Sequence, residues 1–231
     1  QPSAVWEFTR QQPLGAISFV IICVMMTAGI FCEWVAPYDP LAIDFVQLLG
    51  PPSLEHWCGT DAYGRDICSR LIYGARTALV IGFTSSFVGS TLGAVLGVAS
   101  AYFGGRIDNW IQRAVDILLA FPLIVLALVV VAALRRFVIG GVDVNLVFAI
   151  AIPIIPRVAR VVRAAALSVR VMPYVDAARA AGFTHSRIIL RHMMPNVMAS
   201  YLVMLTAFLG QAILLEAALS FLGLGVQGPL P

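Results

Sequence analysis

The side chains that could do chemistry are few in this sequence, and their spacing does not form a catalytic set. No serine–histidine–aspartate arrangement, HExxH metal motif or phosphate-binding GxxxxGKS/T loop is present. The three histidines form no ligand cluster by spacing: His56, His185 and His192. We therefore expect no catalysis, no bound cofactor and no metal in this chain.

Three acids near residue 60 form a group that could bind a cation: Glu55, Asp61 and Asp66. Ion pairs are the better explanation for two of them. Asp61–Arg65 and Asp66–Arg70 are each four residues apart and would face one another on a short helix. The sequence thus favours a structured polar loop over a metal site.

The sequence contains four cysteines, whose thiols could pair or bind a metal. Cys23 and Cys32 lie in or near an apolar run and are interpreted as packing residues. Cys58 and Cys68 lie in a polar loop that we place outside the cytoplasm, where a disulfide is chemically permitted. Their spacing leaves open whether they are bridged, because it does not show geometry.

The composition indicates which elements must position these groups. Of 231 residues, 60% are hydrophobic and 12% charged, with a mean hydropathy of +0.92. The net charge of +3 and the lack of a basic patch interleaved with aromatics argue against nucleic acid. Apolar runs of about 18 or more residues predict membrane spans. Five are expected, the fourth broken by Pro153 and Pro156: residues 14–35, 78–103, 117–134, 142–162 and 197–219.

The arginines predict the orientation of these spans, because basic residues favour the cytoplasmic side. With a cytoplasmic N-terminus, ten arginines lie inside and five outside. Arg135 and Arg136 fit least well. Three domains follow: an N-terminal segment with the first span (1–36), an extracytoplasmic loop (37–75) and a core with a cytoplasmic loop at 173–196 (76–231).

The cytoplasmic loop 173–196 is a polar, helix-prone interruption of an apolar chain. Pro173 suits the first turn of a helix, and Asp176 complements the positive end of its dipole. Gly182 suits a left-handed C-terminal cap. Thr184 or Ser186 could cap a second short helix, and Pro195 marks the start of the next span. Two short helices joined by a glycine turn cannot bury their apolar faces alone, so we expect a docking partner.

Two further patterns each have two explanations. Gly89, Gly93 and Gly97 recur every four residues, which lets helices approach closely, either within this subunit or against a partner subunit. Arg157, Arg160 and Arg163 recur every third residue, as in a voltage sensor, but an arginine-rich cytoplasmic helix end explains them more simply.

The spacing of Asp176, Ala177, Ala178 and Gly182 resembles the EAA loop of permease subunits in bacterial ATP-driven (ABC) importers. The rest of the chain, over residues 14–228, resembles the C-type permease of the dipeptide, oligopeptide and nickel branch. The segments that carry this are EHWCGTDAYGRD (55–66), SRLIYGART (69–77), YFGG (102–105), AFP (120–122), HMMPN (192–196) and LEAALSFLGLG (215–225).

The resemblance implies an all-α polytopic membrane helical bundle of the type I ABC importer permease fold. Five spans are visible, and the family's sixth span and cytoplasmic C-terminus are expected to be missing from this sequence, as is the true N-terminus. The implied function is translocation of peptides or a related small solute, nickel and glutathione included, across the bacterial inner membrane. An ion-coupled secondary transporter is the alternative.

The resemblance also implies the partners: a second homologous permease, two ATPase subunits that bind ATP and Mg²⁺, an extracytoplasmic solute-binding protein and the lipid bilayer, but no nucleic acid. The residues expected to dock the ATPase are Asp176, Ala177, Ala178, Arg179, Gly182, Arg187, His192, Pro195 and Asn196. Those expected to form the outer contact loop are Trp57, Gly59, Asp61, Gly64, Arg65 and Asp66. Two features depart from the family: Asp176 replaces a glutamate, and Cys58 and Cys68 replace apolar residues.

Overall fold

We describe the protein from a computed structural model, which describes residues 11–135, 137–139 and 142–225. The described chain is helical throughout except for loops and one two-stranded hairpin. It divides into two compact units, one up to Leu79 and one from Val80 onward.

The first unit contains the N-terminal helices and loop residues 36–66, which we call the outer loop after the side of the membrane predicted for it. Helix α1 spans Pro13–Ile30, with the proline in the first turn, where its missing N–H costs nothing. The chain turns at Phe31, and the short helix α2 spans Cys32–Val35. Loop residues 36–66 lead to a long helix, α3, which spans Ile67–Phe103. The first span is thus shorter than expected, and α3 begins inside the segment predicted to be a loop.

The second unit contains the remainder of α3 and the elements that follow it. These are α4 (Gly105–Leu119), α5 (Leu123–Ala133), β1 (Val138–Ile139), β2 (Val142–Asp143), α6 (Val144–Arg170), α7 (Pro173–Ala180), α8 (His185–Ile188), a π-helical turn (Ile189–Met193) and α9 (Met194–Phe221). The two strands pair antiparallel, Ile139 with Val142 and Val138 with Asp143.

Helix α6 is the centre of the second unit. It packs against α9, α5 and α4, and it contributes the most continuous run of buried side chains. The prediction that Pro153 and Pro156 break it is wrong, since both lie buried inside one continuous helix of 27 residues. Neighbouring helices hold such a helix together where proline removes a backbone donor.

The glycines at four-residue spacing in α3 face α6. A Cβ atom at Gly89, Gly93 or Gly97 would lie 2.6–2.8 Å from the carbonyl oxygens of Ala151, Ile155 and Ala159. No side chain fits at such a distance, so glycine is required here for space. The stripe is therefore used for packing inside the subunit, and the alternative of an interface with a second permease is wrong for this face.

The predicted third span is not one straight helix. Helices α4 and α5 are bent by 97° at Ala120–Phe121–Pro122. Proline removes the backbone donor at this point and restricts the preceding residue to an extended conformation. Helix α5 has 11 residues, which at about 1.5 Å each is too short to cross a bilayer alone.

Four helices of the described chain are long and apolar enough to cross a membrane. They are α1, α3, α6 and the continuous helical run His185–Phe221. The bent pair α4–α5 raises the number to five if it counts as one broken span. This is the all-α polytopic bundle that the sequence predicts.

Candidate docking surface and outer loop

Helix α7 is an amphipathic helix fixed on the second unit by its inner face. Val175 and Ala178, three residues apart, are buried, while Asp176, Ala177 and Arg179 are exposed. Asp176 accepts a hydrogen bond from the guanidinium of Arg179 at 2.9 Å. Both side chains are exposed to solvent, so this pair contributes little stability by itself.

Ala178 corrects one expectation about this helix. Its exposed fraction is 5%, and it belongs to the same core cluster as Val175. It cannot contact a partner protein as predicted, because it faces the subunit's own core. Of the two alanines predicted to contact the partner, Ala177 is the one that is exposed to solvent.

Gly182 ends α7 as the sequence predicts. Its φ of +75° is a left-handed conformation, which glycine adopts without a Cβ penalty. The backbone N–H of Gly182 donates to Arg179 O at 3.0 Å, and that of Phe183 donates to Ala178 O at 3.1 Å. This pattern satisfies the last carbonyls of the helix. No described atom lies within 4 Å of a Cβ built at Gly182, so the backbone angle alone requires glycine.

The second helix of the loop is not a separate short helix. Thr184 occupies the N-cap position of α8 as expected, but within the described chain its side chain makes no capping hydrogen bond. Helix α8 then continues through the π turn Ile189–Met193 into α9.

The π turn lies directly before Pro195, in the first turn of α9. Pro195 has no N–H, and its ring clashes with the carbonyl four residues earlier in a regular helix. The carbonyl concerned belongs to Arg191, which lies inside the widened π turn. The side chain of Asn196 donates to the carbonyl oxygen of His192 at 2.7 Å and fastens the same turn.

Aromatic and cationic side chains cover the turn between α7 and α8. The Arg187 guanidinium lies 4.0 Å from the ring centre of Phe183. The His192 ring is stacked on Phe183, with 6.1 Å between centres, and lies 6.5 Å from Tyr174. His192 is half-buried, whereas Arg187, Pro195 and Asn196 are exposed. We refer to residues 173–196 in this arrangement as the docking surface.

The C-terminal end of α3 anchors the docking surface, a contact that the sequence did not predict. Tyr102 Oη lies 2.7 Å from His185 Nδ1 at the start of α8. The Arg179 guanidinium lies 5.5 Å from the ring centre of Tyr102. Phe103 makes an edge contact with His185. One hydroxyl therefore joins α3 to the docking surface, and the sequence spacing of 83 residues gave no signal for it.

A polar depression of about 340 Å³ lies beside α7, lined by Leu167, Arg170, Val171, Asp176 and Arg179. Arg170 also donates to Ala101 O at 3.0 Å. Two arginines beside one aspartate make the depression net positive.

Two arginines at the C-terminal half of α6 pair with acids of α4. Arg163 donates hydrogen bonds to the Asp108 carboxylate from two guanidinium nitrogens, and the Nε–Oδ1 distance is 2.7 Å. Arg160 pairs with Asp116, and both side chains are largely exposed. The simpler interpretation of the arginine triplet, an arginine-rich helix end, fits these two residues.

Asp66 organises the start of α3 in the outer loop. It precedes Ile67, and its Oδ2 accepts hydrogen bonds from the N–H and the hydroxyl of Ser69, both at 2.7 Å. Its Oδ1 lies 2.9 Å from His56 Nδ1. Burial raises the pKa of Asp66, but these hydrogen bonds and the nearby His56 outweigh it and hold the pKa below its usual value.

Asp66 also corrects the sequence interpretation of the loop. Its exposed fraction is 3%, so it is an N-cap rather than a contact residue. The predicted Asp66–Arg70 ion pair is not formed among the described residues, and Arg70 instead lies 3.7 Å from Asp61. Gly59 and Gly64 are likewise buried, so they too are wrong as surface contacts.

Asp61 closes a tight turn rather than a helical pair. It accepts the backbone N–H groups of Tyr63 and Arg65 and, at 2.8 Å, Nε of Arg65. Burial raises the pKa of Asp61, but the hydrogen bonds and the Arg65 charge hold it below its usual value. Gly64 has a φ of +73° and lies against the backbone of Asp44. The predicted Asp61–Arg65 pair is confirmed, although not on a helix.

The outer loop presents large apolar side chains that sequence analysis missed. The predicted contact residue Trp57 is 73% exposed, and Leu54 and Val46 are 97% and 91% exposed. A contiguous loop with such side chains in solvent is typical of a contact surface. The signal was available in the apolar residues of segment 41–57.

The side chains of Cys58 and Cys68 are close enough to interact. Both are free thiols in this structure, as are Cys23 and Cys32. Among the described residues, no group of three histidine, cysteine or acidic side chains could hold a metal ion.

Comparisons with known protein families give two matches. Residues 75–231 match the family described as "Binding-protein-dependent transport system inner membrane component". Residues 3–52 match the family described as "N-terminal TM domain of oligopeptide transport permease C".

Similar proteins agree with these families. A Brucella suis protein named as a peptide transport system permease is 42% identical over 92% of this chain and 70% of its own length. A glutathione transport system permease protein of Escherichia coli is 38% identical over 98% of this chain and 73% of its own length. Among solved structures, a chain of the inward-facing MetNI methionine ABC transporter has a TM-score of 0.57 and 24% identity. It matches 69% of this chain and 77% of that chain, and it shows a common fold.

Proposed function

The chain belongs to the family of binding-protein-dependent transport system inner membrane components, and on that premise we propose how it is oriented, what docks on it and what it carries. As a member it is a permease subunit of an ATP-driven importer, and its partner subunits hydrolyse ATP. The proposal adds a cytoplasmic N-terminus, an ATPase on the docking surface and an extracytoplasmic partner on the outer loop.

The construction of the docking surface is the observation that carries the proposal. Val175, Ala178, Ile188 and Met193 are buried beneath it, so its base is fixed to the bundle. Asp176, Ala177, Arg179 and Arg187 remain exposed above that base. A rigid base with a small alanine at the surface suits the close approach of a second protein.

The positions of the arginines support the orientation. The docking surface contributes Arg179, Arg187 and Arg191, and the helix leading to it ends in Arg170. Basic residues near span ends favour the cytoplasmic side. The outer loop, with its exposed Trp57, then lies on the opposite side, where a solute-binding protein or the second permease can contact it.

The transported solute is inferred from the relatives alone. Their names give peptides and glutathione, which is itself a peptide. We infer a peptide or a related small solute, translocated between this chain and a second, homologous permease. The binding protein in such a system meets the solute first and selects it.

A single exposed residue tests the docking surface. We expect Ala177→Arg in the full chain to lower the amount of co-purified ATPase about tenfold or more, which corresponds to about 1.4 kcal/mol of association energy. The bulky arginine would keep the ATPase from approaching the docking surface closely. Because position 177 is exposed, we expect the fold of the permease to be unchanged. Membranes holding all subunits would be solubilised, and the ATPase recovered with the tagged permease would be quantified.

Ala42→Arg is the matched control, because Ala42 is an exposed alanine in the outer loop. It should leave ATPase recovery unchanged. Equal recovery with both variants and with the parent chain would show that the ATPase does not use this surface.

A further inference from the structure

The outer loop ends in a short antiparallel bridge that brings the segments carrying its two cysteines together. Thr60 and Asp66 form an isolated antiparallel bridge. Its two hydrogen bonds run from Ile67 N to Gly59 O at 3.1 Å and from Asp61 N to Arg65 O at 3.0 Å. The pairing ends there, because Gly59 has a φ of +76° and Ile67 begins α3, and Cys58 and Cys68 each lie one residue beyond the Gly59–Ile67 hydrogen bond.

The Cys58 and Cys68 side chains are close enough to interact. The hydrogen bond from Ile67 N to Gly59 O joins the residues next to both cysteines. The hydrogen bonds of Asp66 to Ser69 and of Thr60 to Gly50 hold each side of the pairing in place.

We propose that Cys58 and Cys68 form a disulfide that ties the outer loop to the first turn of α3. The inference rests on the proposed orientation, because only an extracytoplasmic loop meets an oxidising compartment.

The oxidant is the disulfide of an extracytoplasmic thiol oxidase. Cys58 is exposed and Cys68 is half-buried, so Cys58 reacts first. Its thiolate attacks one sulfur of the oxidase and expels the other as a thiolate. The Cys68 thiolate then attacks Sγ of Cys58 and expels the second oxidase thiolate. The two protons lost by Cys58 and Cys68 end on the reduced oxidase, which carries away two electrons.

Trypsin gives a direct assay of the bridge. Arg65 lies between the two cysteines, and Arg70 follows Cys68. Complete digestion of the denatured full chain therefore releases the peptide Asp66–Arg70, which contains only Cys68. We expect mass spectrometry of membranes trapped with an alkylating agent to find this peptide disulfide-linked to the one that ends at Arg65. After reduction it should be found alone.

Cys58→Ser should abolish the linkage, whereas the matched control Cys23→Ser should retain it, although both positions lie in the same upstream peptide. Finding Asp66–Arg70 alkylated and unlinked in the parent chain would overturn the proposal. The parent chain decides this, so a variant that fails to fold does not block the test.

Labelling of intact cells distinguishes this proposal from the proposed orientation. A membrane-impermeant maleimide should label Cys58 only after a membrane-impermeant reductant is added. Labelling without reductant would place the loop outside with free thiols, which overturns the disulfide alone. Labelling only after cell lysis, with the peptide unlinked, would overturn the orientation and the disulfide together.

Discussion

At the scale of single residues, the left-handed backbone at Gly182 decides the shape of the docking surface. The φ of +75° is needed for the two hydrogen bonds that close α7, and there is open space around the position. A substitution there is therefore a test of backbone angle without a steric clash.

We expect Gly182→Ala to destabilise the fold by about 1 kcal/mol and Gly182→Asn by less, because asparagine tolerates the left-handed region better than alanine. Thermal unfolding of the purified permease in detergent would give the order parent, asparagine, alanine. An alanine variant as stable as the parent would mean that the turn does not need this angle.

Asp66 should make the stability of the outer loop depend on acid. Its pKa is lower in the folded chain than in the unfolded one, so the folded state stabilises the carboxylate. That stability is present above the unfolded pKa, near 4, and is lost as the pH falls through the folded pKa.

The variant Asp66→Asn removes this dependence and should cost about 1–3 kcal/mol at neutral pH, as expected for hydrogen bonds to a charged acceptor. The difference in Tm between parent and variant should be constant from about pH 7 to 5. It should decrease toward zero as the pH falls below about 4. Asp39→Asn is a control at an exposed aspartate of the same loop. A Tm difference between parent and Asp66→Asn that persists in strong acid would contradict the role of the carboxylate.

At the scale of elements, the glycine stripe of α3 against α6 governs packing of the second unit. A Cβ at Gly93 would lie 2.6 Å from Ile155 O and 2.8 Å from Val158 Cβ. Neither neighbour is the end of a flexible side chain, so one backbone must move.

We expect Gly93→Ala to destabilise the permease by about 1–3 kcal/mol through overpacking, despite the higher helix propensity of alanine. Gly210→Ala in α9 is the matched control, since no described atom lies within 4 Å of its Cβ position. It should leave the Tm unchanged or raise it. The comparison is made by thermal unfolding, and equal Tm values for both variants would show that the helices separate without cost.

Local sequence signals predicted some elements well and missed others. Pro173, Asp176 and Gly182 identified the bounds of α7, because caps and first turns depend on neighbouring residues alone. The π turn before Pro195 and the continuity of α6 through Pro153 were not predicted, since they depend on which helices surround the proline. The Asp66–Arg70 pair failed for a different reason: Asp66 caps the helix on which Arg70 lies, and its carboxylate accepts hydrogen bonds from Ser69 instead.

At the scale of the whole molecule, the fold class and the family could be predicted from apolar runs and motifs. The mutual positions of distant residues could not. Tyr102 and His185 meet across 83 residues, and no periodicity reports such a contact. The side of the membrane is likewise a property of the whole chain, and it rests on the distribution of arginines.

Single cysteines test this sidedness. In a chain whose own four cysteines are replaced by serine, Ser53→Cys should react with an impermeant maleimide from outside the cell. Ser186→Cys should react only from the cytoplasmic side, because it lies on the docking surface. Both serines are exposed, so accessibility does not favour either. Reaction of both from one side would rule out the proposed topology.

The close contact between α3 and α6 also determines how stiff this unit is. Helices that meet through long side chains absorb a small force by rotamer changes before their backbones shift. Between Gly89 and Gly97 no such side chains separate the two backbones, since carbonyl oxygens of α6 lie where side chains would otherwise be. Helix α7 follows α6 after two residues, so we expect a displacement at α7 to pass into α6 and on to α3. We therefore expect α3 and α6 to move together as one rigid unit.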